Sequence, residues 1–204
     1  MSSIEPLRDF VIGMTALVER TDDEDACIAE TRRLLSMLVS RDDWLPAPFA
    51  TPHPEHYQQY LLHCDPRERF SVVSFVWGPG QKTPIHDHTV WGVVGVLRGG
   101  ERTRDFDRDP ATGALMLRAE QHCPPGAIAI VSPTRGDIHE VANALADAPS
   151  ISIHVYGANI GAVRRHAFDA ETGTARDFIS GYSSTEAPNL WDRSAAMRAG
   201  IARS

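Results

Sequence analysis

From Tyr57 onward the chain is a succession of short stretches rich in β-branched and aromatic residues, each closed by a turn signal. Tyr57 to Leu62, Phe70 to Trp77, Gly92 to Leu97, Arg102 to Phe106, Leu115 to Arg118, Ala127 to Val131, Ile138 to Ala142 and Ile151 to Tyr156 are the predicted strands. Gly99-Gly100, Asp109-Pro110-Ala111-Thr112-Gly113 and Pro124-Pro125-Gly126 lie between them. Such clusters supply the backbone angles that tight turns require. Short strands at this regular spacing predict a mostly β chain, closed into a sandwich or barrel of the jelly-roll type.

The residues before this region have another texture. Leu7, Phe10, Val11, Met14, Leu17 and Val18 recur at three- and four-residue steps and mark one apolar helical face. Thr21-Asp22-Asp23-Glu24 reads as a capping box opening a second helix with Ile28, Leu34, Leu35, Leu38 and Val39. Pro46, Pro48, Pro52 and Pro54 end the helical part. The organisation expected is helices over 1–45, a barrel over 46–170, and a tail over 171–204 that packs back through Phe178, Ile179, Tyr182, Leu190 and Trp191, all in one domain.

Composition narrows the partners. A net charge of −7 argues against a nucleic-acid surface, where a basic patch is expected. No apolar run approaches the roughly 20 residues that span a membrane, and Met1-Ser2-Ser3-Ile4-Glu5-Pro6 lacks the features of a signal peptide. Cys27, Cys64 and Cys123 are odd in number and widely spaced, so neither a disulfide framework nor a zinc knuckle is indicated, and Cys64 and Cys123 are expected to be small buried apolar residues. A reducing cytoplasm is the expected location, for a monomer or a small homo-oligomer.

The chemistry concentrates at Pro84-Ile85-His86-Asp87-His88-Thr89. Histidines at i and i+2 of a strand point to one face, so both imidazoles can reach one metal ion. His139 lies on a later predicted strand that antiparallel pairing can bring alongside. Three neutral imidazoles leave a divalent ion its full charge and, with six-fold coordination, three open positions. Imidazole suits Zn, Cu, Fe and Ni, so ligand type alone does not choose the ion. His63, His122 and His166 sit beside charged or turn residues and are expected in solvent.

The spacing of Gly80, His86, His88 and Gly99 resembles the first cupin motif, and Pro125, Pro133, His139 and Asn143 resemble the second. The glutamate that many cupins place after the histidine pair is absent, and Gly92 stands there. A cupin with three histidines and no glutamate resembles the thiol dioxygenases of the cysteine dioxygenase family. The resemblance runs from about Tyr57 to Phe168. It implies a cupin β-barrel with N-terminal helices and a mononuclear ferrous iron held by His86, His88 and His139. The implied partners are a small thiol carboxylate and O2.

The same resemblance assigns a relay. Ser152, His154 and Tyr156 alternate along one predicted strand and can share one face. In the family's pattern the tyrosine hydroxyl stands near the iron, oriented by the histidine and serine. Two departures from the animal cysteine dioxygenase pattern are visible. Gly92 occupies the place of the cysteine that crosslinks to the tyrosine, so no thioether to Tyr156 can form. Gln59 occupies the place of the arginine that pairs with the substrate carboxylate. A neutral glutamine cannot replace that bidentate, charge-assisted pair, so the positive charge is expected from Arg165, in Gly161-Ala162-Val163-Arg164-Arg165-His166, with a solvated surface pair as the alternative for Arg164 and Arg165. This pattern is similar to the bacterial 3-mercaptopropionate dioxygenases. It implies oxidation of the thiol sulfur to a sulfinic acid, with Trp77 contributing to the pocket wall. Cysteine as substrate, a cupin using zinc, nickel or manganese for hydrolysis or isomerisation, and a non-catalytic small-acid-binding cupin are the competing readings.

Overall fold

A computed structural model describes residues 4–184 and 194–201. Leu190 and Trp191, expected in the tail's packing, lie outside the described residues. Two helices open the chain, α1 (Glu5–Arg20) and α2 (Glu24–Leu38). Leu7, Phe10, Met14 and Leu17 of α1 are buried, as are Cys27, Ile28, Leu35 and Leu38 of α2, following the apolar stripe in the sequence. The start of α2 corrects the capping-box expectation. Asp23, not Thr21, is the N-cap, and its carboxylate accepts from the Ala26 N–H at 2.8 Å. Glu24 does not reach back to the chain before it, because its carboxylate accepts from the hydroxyls of Ser132 and Thr134 on the barrel.

Eleven strands follow among the described residues, all paired antiparallel. They are β1 (Gln58–Cys64), β2 (Ser71–Trp77), β3 (Ile85–His86), β4 (Gly92–Arg98), β5 (Glu101–Arg108), β6 (Leu115–Cys123), β7 (Ile128–Val131), β8 (Ile138–Asn143), β9 (Ser150–Tyr156), β10 (Arg165–Phe168) and β11 (Ala175–Phe178). One sheet has the order β1-β2-β9-β4-β7 and the other β11-β10-β3-β8-β5-β6. The result is the two-sheet, mostly β cupin architecture with N-terminal helices that the strand spacing and the family resemblance predict. A last helix, α3 (Ser194–Ile201), closes the described chain. No helix among the described residues is long and apolar enough to cross a membrane.

The two faces of the five-stranded sheet do different work. Val72, Val76, Val93, Ile151, Ile153 and Val155 form one core with α1 and α2. Val73, Phe75, Trp77 and Tyr156 belong to a second cluster that Val141 of the opposite sheet joins. Because side chains alternate along a strand, β9 sends its isoleucines toward the helices and Ser152, His154 and Tyr156 into the barrel. Gly95 permits the close approach of the helical layer: a Cβ there would lie 3.0–3.1 Å from Val39, Ile128 and Leu35.

The six-stranded sheet departs most from the sequence reading. β3 has only two residues, so His86 ends a strand and His88 lies beyond it rather than on it. β10 and β11 are strands not foreseen, and among the described residues β11 pairs with β10 alone. β6 runs to Cys123 rather than Arg118. Its Ala119-Glu120-Gln121-His122 segment carries no apolar alternation, and it is held at the edge by its ladder with β5.

Candidate metal centre

His86 is paired across the sheet with His139 of β8 and stands beside Ala167 of β10. His88 turns back toward the pair two residues on, just before Thr89, which has a positive φ of 58°. The three ring centroids form a nearly equilateral triangle with sides of 4.8, 4.8 and 4.9 Å. One ligating nitrogen from each ring lies within 4.8 Å of the other two.

Hydrogen bonding fixes which nitrogen is free. His86 Nδ1 lies 3.0 Å from the Pro84 carbonyl oxygen. A carbonyl only accepts, so Nδ1 carries the proton and Nε2 keeps its lone pair. His88 Nδ1 lies 2.8 Å from Asp137 Oδ1, with the same consequence. The other oxygen of Asp137 accepts from the N–H groups of His88 and Thr89, both at 2.9 Å, so one carboxylate holds the ring and its backbone. Burial holds His86 and His88 well below the ordinary histidine pKa and brings His139 down to about 4. Neutral, oriented, desolvated imidazoles are the form in which histidine binds metal. The donor set fits a divalent transition ion.

Asp137 was not foreseen as part of the site. Its signal was available, as a carboxylate two residues before His139 within Arg135-Gly136-Asp137-Ile138-His139. Asp87, between the two histidines, braces the neighbouring strand: it accepts from the His166 N–H at 2.7 Å and lies 2.7 Å from His166 Nδ1. This corrects the expectation that His166 is simply solvated. His63 is corrected too, since it is half-buried beside the Phe70 ring and burial lowers its pKa. His122 is exposed. Cys27, Cys64 and Cys123 are free and buried.

The strand β9 brings its three polar side chains together. Ser152 Oγ lies 2.8 Å from His154 Nε2, and His154 Nδ1 lies 2.8 Å from the Tyr156 hydroxyl. Trp77 Nε1–H donates to Ser152 Oγ at 3.3 Å. The Phe75 ring stacks on His154 at 4.0 Å, and the Tyr156 ring stacks on His88 at 5.5 Å. Burial raises the Tyr156 pKa, which keeps the phenol protonated. Gly92 pairs with Tyr156 across β4 and β9. A Cβ on Gly92 would stand 2.7 Å from the tyrosine ring and 2.9 Å from Val131. Gly92→Ala is therefore expected to destabilise the fold by about 1–3 kcal/mol, as overpacking of a filled core does. Thermal unfolding of the variant checks this, and an unchanged midpoint would mean that the tyrosine has room to move.

Arg165 opens β10 and is 3 % exposed, an unusual depth for a guanidinium. It donates to Ser180 Oγ at 2.6 Å and lies 4.6 Å over the Phe178 ring. Its Nε has no partner, and it makes no ion pair among the described residues. Arg164 is exposed and pairs with Asp177. Gln59 is half-buried on β1. A cavity of about 240 Å³ is bordered by the three histidines together with Gln59, Trp77, Tyr156 and Arg165. It thus brings together the sequence-predicted metal, tyrosine, glutamine and arginine positions; Ser152 stands behind His154, away from the cavity wall.

A profile of the family described as cysteine dioxygenase type I matches residues 37–170, most of the barrel and all of these positions but none of the first helix. The chain belongs to the cysteine dioxygenase type I family. Cysteine dioxygenase type 1 from Rattus norvegicus and its counterpart from Mus musculus are each 28 % identical to it over 107 residues, 52 % of this chain and 52 % of theirs. The chain's matched region thus spans about half the length of these curated relatives. Among solved structures, TT1209 from Thermus thermophilus has a TM-score of 0.43 and 23 % identity, covering 54 % of this chain and 91 % of that one. In this cysteine dioxygenase family member, three histidines and a buried arginine share one small cavity.

Proposed function

We propose that the protein is an iron(II)-dependent thiol dioxygenase that converts a small thiol carboxylic acid, most simply 3-mercaptopropionate, and O2 to the corresponding sulfinic acid. The reaction balances as R–SH + O2 → R–SO2H, with both oxygen atoms on sulfur, which loses four electrons to O2. The observation that carries this reading is Arg165, a deeply buried guanidinium with no ion-pair partner among the described residues, in the same cavity as three neutral histidines. A buried unpaired charge is costly, and a substrate carboxylate would supply the missing anion. The other end of so short a molecule then reaches the histidines.

Ferrous iron held by His86, His88 and His139 would supply O2 activation and, through its charge, favour the thiolate form of the substrate. The chain's own residues do the positioning. Arg165 binds the carboxylate in a charge-assisted pair, and Gln59 offers it a neutral donor. Phe75, Trp77 and Phe178 wall the cavity against water. Tyr156, held by His154 and Ser152, presents a protonated phenol beside His88. Tyr156→Phe is expected to leave metal content unchanged while lowering kcat or the yield of sulfinate per O2 consumed; unaltered kinetics would remove the hydroxyl from the reaction.

Cysteine is the second reading, favoured by the names of the rodent relatives. Against it, the cavity is bordered by no carboxylate among the described residues, so nothing acidic meets an ammonium group. Gln59→Arg is expected to move the ratio of kcat/KM values toward cysteine, and the same ratio before and after would mean that Gln59 does not read the substrate. The proposal is tested by sulfinate formation under air with iron-loaded protein. Absence of sulfinate from every small thiol acid would refute it.

A further inference from the structure

Gln59 and Arg165 border the three-histidine cavity from different sheets, one on β1 and one on β10, and among the described residues no ladder joins these strands. The segment 179–183 joins them instead. Ser180 Oγ accepts from Arg165 Nη2 at 2.6 Å. Three residues on, Ser183 pairs with both backbone groups of Gln59. Its N–H donates to the Gln59 carbonyl at 2.9 Å, and its Oγ accepts from the Gln59 N–H at 3.1 Å. β1 is an end strand of its sheet, where such groups lack a neighbouring strand.

The segment is itself held on two sides. The Tyr182 hydroxyl accepts from the Gly161 N–H at 3.0 Å and donates to Asn159 Oδ1 at 2.6 Å. The Gly181 N–H donates to the Gly161 carbonyl at 3.0 Å. A Cβ on Gly161 would stand 2.3 Å from the Tyr182 ring, so the glycine makes room for the tyrosine. From the other side Arg198 of α3 donates to the carbonyls of Ile179 and Ser180 at 3.1 and 3.0 Å. All of 179–183 lies beyond residue 170, where the match to the family profile ends.

The consequence falls on Arg165. A guanidinium presents its N–H donors in one rigid plane. Phe178 lies against that group at 4.6 Å and Ser180 holds one of its nitrogens, so the remaining N–H groups keep a fixed direction. Rotamer freedom that a loose arginine would lose on binding an anion is already lost, which favours binding.

We propose that the segment 179–183 is part of the substrate site, with Ser180 a positioning residue that aims Arg165 at the substrate carboxylate and Ser183 holding Gln59 at the same end. The preference for thiols that bear a carboxylate is then built by the C-terminal part of the chain. The identity of the substrate rests on the dioxygenase reading, whereas the test does not need turnover. Calorimetry on iron(II)-loaded protein without O2 compares binding of 3-mercaptopropionate with that of 1-propanethiol, which lacks the carboxylate. Ser180→Ala is expected to weaken the acid about tenfold, as loss of a hydrogen bond to a charged group does, and to leave the thiol within about twofold. Ser180→Thr, which keeps the hydroxyl, is expected to recover most of the loss. Ser183→Ala, which removes only the acceptor for the Gln59 N–H, is expected to weaken the acid about threefold. Acid and thiol weakened alike by Ser180→Ala, or neither weakened, would overturn the proposal. In turnover, KM for the acid should rise about tenfold in Ser180→Ala with a much smaller change in kcat. Selective weakening of the acid in a protein that makes no sulfinate would uphold the segment's role and refute the activity. Sulfinate formation without selective weakening would refute the segment's role alone.

Discussion

Replacing His139 by alanine is expected to remove the metal and, with it, all measurable sulfinate formation. His139 ties the centre to the six-stranded sheet, since β8 carries it directly across from His86 of β3. Without it, two imidazoles remain, on one short segment. Loss of a mere hydrogen-bond partner of a metal ligand costs about 10–100-fold in affinity or activity, so loss of a ligand is expected to exceed about 100-fold. Metal content after dialysis against graded chelator, measured beside the wild type, gives the number. The barrel itself should persist, because the ladders of β8 with β3 and β5 are backbone hydrogen bonds. A folded variant that retains iron at wild-type affinity would remove His139 from the metal centre.

Arg165→Met is expected to divide function from stability. Truncating one member of a buried, hydrogen-bonded charge pair costs about 2–5 kcal/mol of binding, roughly a 30- to 4000-fold loss in kcat/KM at 1.4 kcal/mol per tenfold. Most of the loss should appear in KM, because the guanidinium binds the carboxylate and not the reacting sulfur. The free protein should behave oppositely. Its buried charge has no ion-pair partner among the described residues, so an apolar side chain of similar length should leave the unfolding midpoint unchanged or higher. A variant with normal KM would show that the carboxylate is bound elsewhere. One that unfolds readily would make Arg165 a structural residue.

Much of this arrangement is legible in the chain. Ile151, Ser152, Ile153, His154, Val155 and Tyr156 alternate apolar and polar, and the fold uses both faces, one against the helices and one inside the barrel. His86, His88 and His139 are visible through the His-x-His spacing and a third histidine on a later predicted strand. The six-stranded sheet is less legible. β3 has two residues, too few for periodicity, and Arg165-His166-Ala167-Phe168 and Ala175-Arg176-Asp177-Phe178 carry no strict alternation. Their strand character comes from partners, since β10 lies between β3 and β11. The acids were hidden for a related reason. Asp137 holds His88 from 49 residues away, and Glu24 caps a barrel loop rather than its own helix. A carboxylate's role depends on what it meets in space, which spacing along the chain does not encode.

The most direct test supplies ¹⁸O2 to iron-loaded protein with 3-mercaptopropionate, and separately with cysteine at equal iron occupancy, and weighs the product by mass spectrometry. The account predicts a sulfinate carrying two ¹⁸O atoms, formed faster from 3-mercaptopropionate and absent when chelator removes the metal. Product with one labelled oxygen or none, or turnover that follows another ion in iron-free protein, would contradict it.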